Sequence, residues 1–128
     1  MPKQFTLGKA ERLKSRKQIE LLFKNGRRIN EPGIRALYML QDAESEPYLL
    51  QLGVSVSSRN FKRAVDRNRI KRLLRESWRL QKNDLRSAQI ENKKNLMVFL
   101  IYTGKEMPSF DAVNEAVRAI LNKLQNAK

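Results

Sequence analysis

The sequence predicts an α+β fold in which helices pack on one four-stranded mixed sheet. Three observations indicate this fold: apolar residues recur at helical spacing in three segments, one segment alternates apolar and polar residues, and a separate apolar run has the length of a strand. The 128 residues suit one domain, residues 1–128. We therefore predict a single-domain sandwich with the element order αβββαβα.

The first predicted element is a helix over residues 15–25. Ile19 and Phe23 belong to an apolar stripe at helical spacing, Ser15 is a suitable N-cap, and Gly26 follows the stripe as a stop signal. Residues 1–10 precede this helix and are basic, so we expect them to be flexible.

Three strands are predicted next, and a fourth near the end of the chain. The first two cover residues 27–30 and 34–40, separated by Pro32-Gly33. Residues 48–56 alternate apolar and polar side chains, which is typical of a half-buried strand. Residues 96–102 form a continuous apolar run whose length favours a buried strand.

Two further helices are predicted, over residues 64–82 and 109–126, and Ser109 is a suitable N-cap for the second. On a helical wheel, one side of the helix over 64–82 is apolar, and the other side is cationic apart from one amide. The residues on the cationic side are Asn68, Lys71, Arg72, Arg75 and Arg79.

The charge of the chain predicts a polyanionic partner. There are 27 basic and 13 acidic residues, a formal net charge of +14. Residues 59–79 alone carry nine basic and two acidic residues. Solvated helix faces normally mix both signs, so such a concentration indicates nucleic acid. A strand, and not a second helix, precedes the basic helix, which favours RNA over the common DNA-reading geometry.

The composition argues against several classes of function. The chain has no Cys and no His, so it lacks thiolate chemistry, the commonest general base and the commonest metal ligand. Asp66 and Glu76 are ten residues apart, roughly 15 Å along a helix, which is too far for a shared two-metal site. We predict no catalytic residue and no certain metal ligand. No apolar run has the length of a membrane span, so we expect a cytoplasmic protein.

The basic helix also carries a recognisable pattern. An Arg-Asn-Arg triplet is followed by Lys-Arg and Arg-Glu pairs, formed by Arg67, Asn68, Arg69, Lys71, Arg72, Arg75 and Glu76. This pattern resembles the signature of the bacterial ribonuclease P protein component. Residues 11–14 and 23–26 resemble the N-terminal helix of that family, and residues 52–57 resemble the strand before the signature. Unlike many members, this chain has no glycine in the loop over residues 57–63.

The resemblance implies a compact α+β sandwich with a left-handed crossover. It also implies a function as the small subunit of a ribonucleoprotein that removes the 5′ leader from precursor tRNA. In that family the RNA subunit performs the catalysis with Mg²⁺. The implied partners are ribonuclease P RNA, with one protein monomer per RNA, and precursor tRNA. Neither DNA nor a membrane is expected as a partner.

The resemblance assigns two sets of site residues. Contacts to the RNA subunit are implied for Arg59, Arg63, Arg67, Asn68, Arg69, Arg72 and Arg79. Asn68 could also lie near an Mg²⁺ ion that the RNA holds. Leader binding, in a cleft between the sheet and the basic helix, is implied for Ile19, Phe23, Tyr38, Lys71 and Arg75. Phe23 and Tyr38 occupy periodic apolar positions, so a role in the core stays open for both, as does a partly structural role for Arg69.

Other classes of protein fit part of the pattern. A ribosomal protein or another RNA-binding protein without a role in catalysis would have a similar size, charge and fold. A peripheral membrane protein with a basic amphipathic helix fits less well, because this helix has a serine on its apolar side. A DNA-binding regulator fits least well.

Overall fold

The computed structural model describes residues 12–13, 15–42, 49–91 and 93–126. Residues 1–10, which we expected to be flexible, lie outside the described residues. Within the described part of the chain, no helix is long and apolar enough to cross a membrane.

The described residues form four helices and one four-stranded sheet. In chain order the elements are α1 (Arg16–Asn25), β1 (Arg27–Glu31), β2 (Ile34–Asp42), β3 (Leu50–Val56), α2 (Ala64–Gln81), α3 (Asn83–Glu91), β4 (Lys94–Tyr102) and α4 (Phe110–Gln125). The predicted order αβββαβα is confirmed. The short helix α3 is an addition, because the sequence predicted a single helix between β3 and β4.

The sheet is mixed, with the strand order β1-β2-β4-β3. β1 and β2 form an antiparallel hairpin, and Gly33 in its turn has a φ of +80°, a conformation that glycine adopts without strain. β2 and β4 are antiparallel, whereas β3 and β4 are parallel. Parallel neighbours require a crossover, which here runs through α2 and α3. The left hand of that crossover stays a prediction.

Helices cover both faces of the sheet, because successive side chains of a strand point to opposite faces. On the face that we call the α2–α4 face, Leu52 and Val98 pack with Ile70 and Trp78 of α2 in the main core. On the face that we call the α1 face, a smaller cluster contains Leu13, Leu22, Leu37, Met97 and Phe99. The sheet is therefore apolar on both sides, and the molecule has two clusters of unequal size.

Local signals set the ends of two helices as the sequence predicted. The hydroxyl of Ser15 accepts a hydrogen bond from the Gln18 amide at 3.4 Å, which caps α1. The hydroxyl of Ser109 accepts one from the Ala112 amide at 3.1 Å, which caps α4. Both N-cap predictions are confirmed.

A buried polar contact fixes α2 against α4. Ser77, on the apolar side of α2, is fully buried, and its hydroxyl donates to Asn114 Oδ1 at 2.9 Å. Gln81 Nε2 donates to the same oxygen at 2.7 Å. When buried polar groups form all of their hydrogen bonds, they stabilise the fold, and the geometry of those bonds favours one packing arrangement of the helices. The orientation of the opposite, basic side of α2 is therefore fixed by this contact.

Candidate nucleic-acid interface

The basic face of α2, which we define as Asn68, Arg69, Lys71, Arg72 and Arg75, is directed to solvent. All of these residues are exposed except Lys71, which is partly buried. The buried residues of α2 lie on the opposite side of the helix. An exposed guanidinium group can bind two phosphate oxygens at once. The arrangement can therefore bind a nucleic-acid backbone along about two turns of helix.

Arg79 belongs to the same side of α2 but already has an acidic partner. Its Nε donates to Glu76 Oε2 at 3.2 Å, and its Nη2 contacts Glu76 Oε1. The hydrogen bond from Arg79, with its positive charge, lowers the pKa of Glu76. The charge of Arg79 is therefore partly neutralised within the protein, so it contributes less to the local positive potential than the sequence suggested.

Arg67 is engaged inside the protein. Its Nη1 donates to the carbonyl oxygen of Phe61 at 2.8 Å and to that of Lys62 at 2.7 Å. These two bonds, which we call the Arg67 clasp, join α2 to the loop that precedes it. Arg59 and Arg63 are exposed on that same loop. Arg67 thus has a structural role, and its contact with RNA stays a prediction.

The glycine-free loop is also anchored to the segment between β4 and α4. Asn60 Nδ2 donates to the carbonyl oxygens of Thr103 and Gly104, both at 3.3 Å. Phe61 is buried, and the centroid of its ring lies 6.0 Å from that of Tyr102. The loop therefore has specific anchors at Asn60 and Phe61, and it does not need a glycine to reach this conformation.

A basic residue that sequence analysis did not assign to a site lies near α2. The Leu13 amide donates to the Leu52 carbonyl at 2.9 Å, and Arg12 forms a parallel bridge with Leu52 on the outer edge of β3. Burial and, secondarily, the positive charge of Arg12 lower the pKa of Arg75. Two guanidinium groups whose charges interact favour a bound anion between or beside them. No local signal could have revealed this pair, because it depends on contacts distant in sequence.

On the α1 face, Ile19 and Phe23 lie on α1 and pack toward the sheet. Ile19 is partly buried against the smaller cluster. Phe23 is 44% exposed, and its ring meets that of Phe99 edge-on with centroids 5.2 Å apart. A Cβ atom on Gly53 would lie 2.5 Å from the Phe99 ring, so only glycine leaves room for this ring. The exposed part of Phe23 is available to stack on a base.

Tyr38 lies on the other side of the sheet. Its neighbours across the ladders are Arg27 and Val98, and its side chain packs against the main core on the α2–α4 face. The β2 residues that face α1 are Leu37 and Met39. The structure therefore brings Ile19 and Phe23 together but does not bring Tyr38 to them. The two basic residues of the predicted leader-binding set are on α2, which packs on the α2–α4 face, and their contact with the leader stays a prediction.

The donor groups of the described residues do not fit a protein-held metal ion. No group of three or more Asp, Glu, His or Cys side chains among them is close enough to bind one. Asn68 offers a single exposed amide beside arginines, which is a weak ligand set for Mg²⁺.

Comparison with known proteins identifies the family. A family model described as Ribonuclease P matches residues 7–125. The Ribonuclease P protein component of Porphyromonas gingivalis is 34% identical over 96% of this chain and 89% of that protein. The RNase P protein from Thermotoga maritima is 25% identical, with a TM-score of 0.66 over 92% of this chain and 98% of that one. The RNase P protein of Staphylococcus aureus is 20% identical and shares the fold, with a TM-score of 0.67 over 90% of this chain and 95% of that one. The chain therefore belongs to the ribonuclease P protein component family.

Proposed function

We propose that this chain, as the protein subunit of ribonuclease P, binds the catalytic RNA through the basic face of α2 and the 5′ leader of precursor tRNA through the α1 face. The observation that carries the first half is the basic face of α2, on which Asn68, Arg69 and Arg72 are exposed on a helix whose opposite side is buried. Cations in this arrangement displace condensed counterions from RNA, which makes binding strong and dependent on salt.

The RNA subunit carries the chemistry in this proposal. The polypeptide has no His and no Cys. Glu76 accepts hydrogen bonds from Arg79, which lower its pKa and make it a poor general base. Mg²⁺ would be held mainly by the RNA, where it would supply the Lewis acid and the activated water of phosphodiester hydrolysis. Asn68 would at most lie near such an ion.

Leader binding rests on the exposed ring of Phe23 on the α1 face. Stacking of one base on an aromatic ring is worth about 1–3 kcal/mol, and it is tolerant of sequence because every base has a π-face. Arg12, at the β3 edge of the sheet, and Arg75, on which its charge acts, would bind the phosphate backbone of the leader. Lys71 would add a cation from α2. Tyr38 would contribute only from the opposite face.

The test is cleavage of precursor tRNA by a bacterial ribonuclease P RNA at low Mg²⁺, with and without this protein. We expect the protein to stimulate cleavage. We expect Phe23→Ala to lower the affinity for precursor tRNA by roughly 5- to 100-fold and to leave the affinity for leaderless tRNA unchanged. Leu21→Ala is a matched control, because Leu21 is also an exposed apolar residue of α1.

The outcomes separate the proposal from its alternative. If the protein binds RNA tightly but does not stimulate cleavage, a general or ribosomal RNA-binding role would replace the proposal. Native mass spectrometry of the reconstituted particle would test the expectation of one protein per RNA. The cytoplasmic location stays a prediction, which localisation of a tagged protein would test.

A further inference from the structure

The α1 face continues beyond α1 toward β1, the edge strand of the sheet. In the β1–β2 ladder, Arg28 pairs with Leu37 and Asn30 pairs with Arg35. Leu37 belongs to the cluster under α1, so all four of these residues project from the α1 face. Next to Arg35 on the neighbouring strand is Ile101, which packs against the edge of that cluster.

The three polar residues at this edge, Arg28, Asn30 and Arg35, are all exposed, and we call them the β1 strip. Arg35 Nε donates to Asn30 Oδ1 at 3.3 Å, an uncharged partner that orients the guanidinium without neutralising it. Neither Arg28 nor Arg35 forms an ion pair with any residue in the described part of the chain. Among the described residues, no acid therefore offsets the two positive charges of the strip.

The nearest acid on the same strand is directed away from the strip. Glu31 pairs with Ile34 in the ladder and projects from the α2–α4 face, where its carboxylate meets Lys123 of α4 at 2.8 Å. A solvated surface normally mixes both signs, whereas the α1 face of this hairpin carries Arg28 and Arg35 and none of the acids of β1 and β2. Such a separation is expected of a surface that binds an anion.

We infer that the β1 strip binds phosphates of the 5′ leader, as a second backbone contact on the far side of Phe23 from α2. The inference rests on the proposed leader binding and extends it across the sheet. Neighbouring strands are about 4.8 Å apart, so β1 lies roughly 14 Å from β3, at whose edge Arg12 forms its bridge, and the charge of Arg12 acts on Arg75 of α2. A single strand that crosses the α1 face between these two cationic edges passes the exposed ring of Phe23. Grooves for single strands combine cations along the backbone with aromatic rings for the bases in this way.

The experiment uses the reconstituted holoenzyme and two substrates, precursor tRNA with a leader of about ten nucleotides and the same tRNA without a leader. The variants are Arg28→Gln, Arg35→Gln and the two combined. Arg118→Gln is the matched control, because Arg118 is an exposed arginine of α4, on the other side of the sheet. Thermal unfolding of each variant shows whether it remains folded.

We expect each single variant to raise the Kd for precursor tRNA by about 3- to 10-fold and the double variant by more. The Kd for leaderless tRNA should not change. The slope of log K against log salt for precursor tRNA should become shallower by roughly 0.7 for each phosphate that the variant no longer binds. Arg118→Gln should change none of these values.

Three results would overturn the inference. Unchanged binding of precursor tRNA by the double variant would mean that the strip contacts no RNA. An equal loss with both substrates would assign the strip to the catalytic RNA or to the body of the tRNA. An equal loss with Arg118→Gln would show a general charge effect. If the unaltered protein itself does not discriminate between the two substrates, the proposed leader binding fails as well, and this outcome is visible before any variant is measured.

Discussion

The Arg67 clasp allows a test of whether the first arginine of the Arg-Asn-Arg triplet acts through the loop or through a phosphate. Hydrogen bonds to charged groups contribute about 1.5–3 kcal/mol each, and the carbonyls of Phe61 and Lys62 are only partly buried or exposed. We therefore assign the low end of this range, about 1.5 kcal/mol, to the clasp as a whole. That value corresponds to roughly a tenfold change in the population of the ordered loop.

The perturbation is Arg67→Lys, which keeps the positive charge but loses the planar fork that holds two carbonyls. We expect RNA affinity to fall about 3- to 10-fold, nearly as much as in Arg67→Ala, because the exposed Arg59 and Arg63 would no longer be held in position. In the free protein, hydrogen exchange at the Phe61 amide, which donates to the Ser57 carbonyl, should accelerate by up to about tenfold. This second measurement does not depend on any RNA.

Asn60→Ala tests the same loop without any change of charge. Asn60 anchors the loop from the other side, so this variant should also weaken RNA binding. The variant that combines Arg67→Lys with Asn60→Ala should lose less binding free energy for RNA than the sum of the two single losses. The coupling energy should be at least about 0.5 kcal/mol, because both residues order one loop. The reasoning is refuted if Arg67→Lys and Asn60→Ala both bind RNA as tightly as the unaltered protein while Arg67→Ala binds RNA more weakly. Arg67 would then act as a point charge on a phosphate.

Three further predictions concern stability. Gly53→Ala should lower the free energy of unfolding by about 1–3 kcal/mol in urea titrations, because the new Cβ would lie 2.5 Å from the Phe99 ring; an unchanged midpoint would contradict this packing. Asn114→Ala should cost roughly 1–3 kcal/mol by removing the acceptor of the buried Ser77 hydroxyl, whereas the exposed Asn122→Ala should cost much less. Burial raises the pKa of Tyr102 above its usual value of 10.0, so its contribution to stability is complete below about pH 10 and is lost as the pH rises through the folded-state pKa. The unaltered protein should therefore lose more stability above pH 10 than Tyr102→Phe does, and equal losses would contradict the effect of burial.

The elements that depend on local chemistry could be predicted from the sequence. Ser15 and Ser109 cap helices because an N-cap needs only a hydroxyl and the amides of the next turn. The helix α3 could not be predicted in the same way. Leu85 is its only fully buried residue among those whose side chains are described, so it shows little apolar periodicity.

The face on which Tyr38 lies could not be read from the sequence. β2 is covered by helices on both faces, and its neighbouring residues Ala36 and Leu37 are both buried, on opposite sides. A strand that is apolar on both faces has no alternation to indicate which side chains point where. A shift of one residue along the strand moves every side chain to the opposite face of the sheet. Such a shift decides whether Tyr38 or Leu37 lies under α1.

The roles of individual arginines were the least predictable part of the site. Within a cationic run every arginine has the chemistry of a phosphate ligand, and the family resemblance assigned Arg67 and Arg79 to RNA along with the exposed arginines. The structure engages Arg67 with backbone carbonyls and Arg79 with Glu76, while it brings Arg12 to Arg75 from a distant part of the chain. Such assignments depend on tertiary contacts, which no spacing rule encodes.

The placement of the acids explains how two cationic surfaces persist on one small protein. Glu31 is bound by Lys123 on the α2–α4 side, and Asp42 lies 3.5 Å from Lys94 at the far end of β2. Glu76 is held by Arg79, at the edge of the basic face of α2. Each pair is exposed enough to contribute little stability by itself. Their combined effect is on the electric field, because they hold negative charge away from Arg72 and from Arg35. The positive potential then remains where an RNA backbone could reach it, on α2 and on the α1 face.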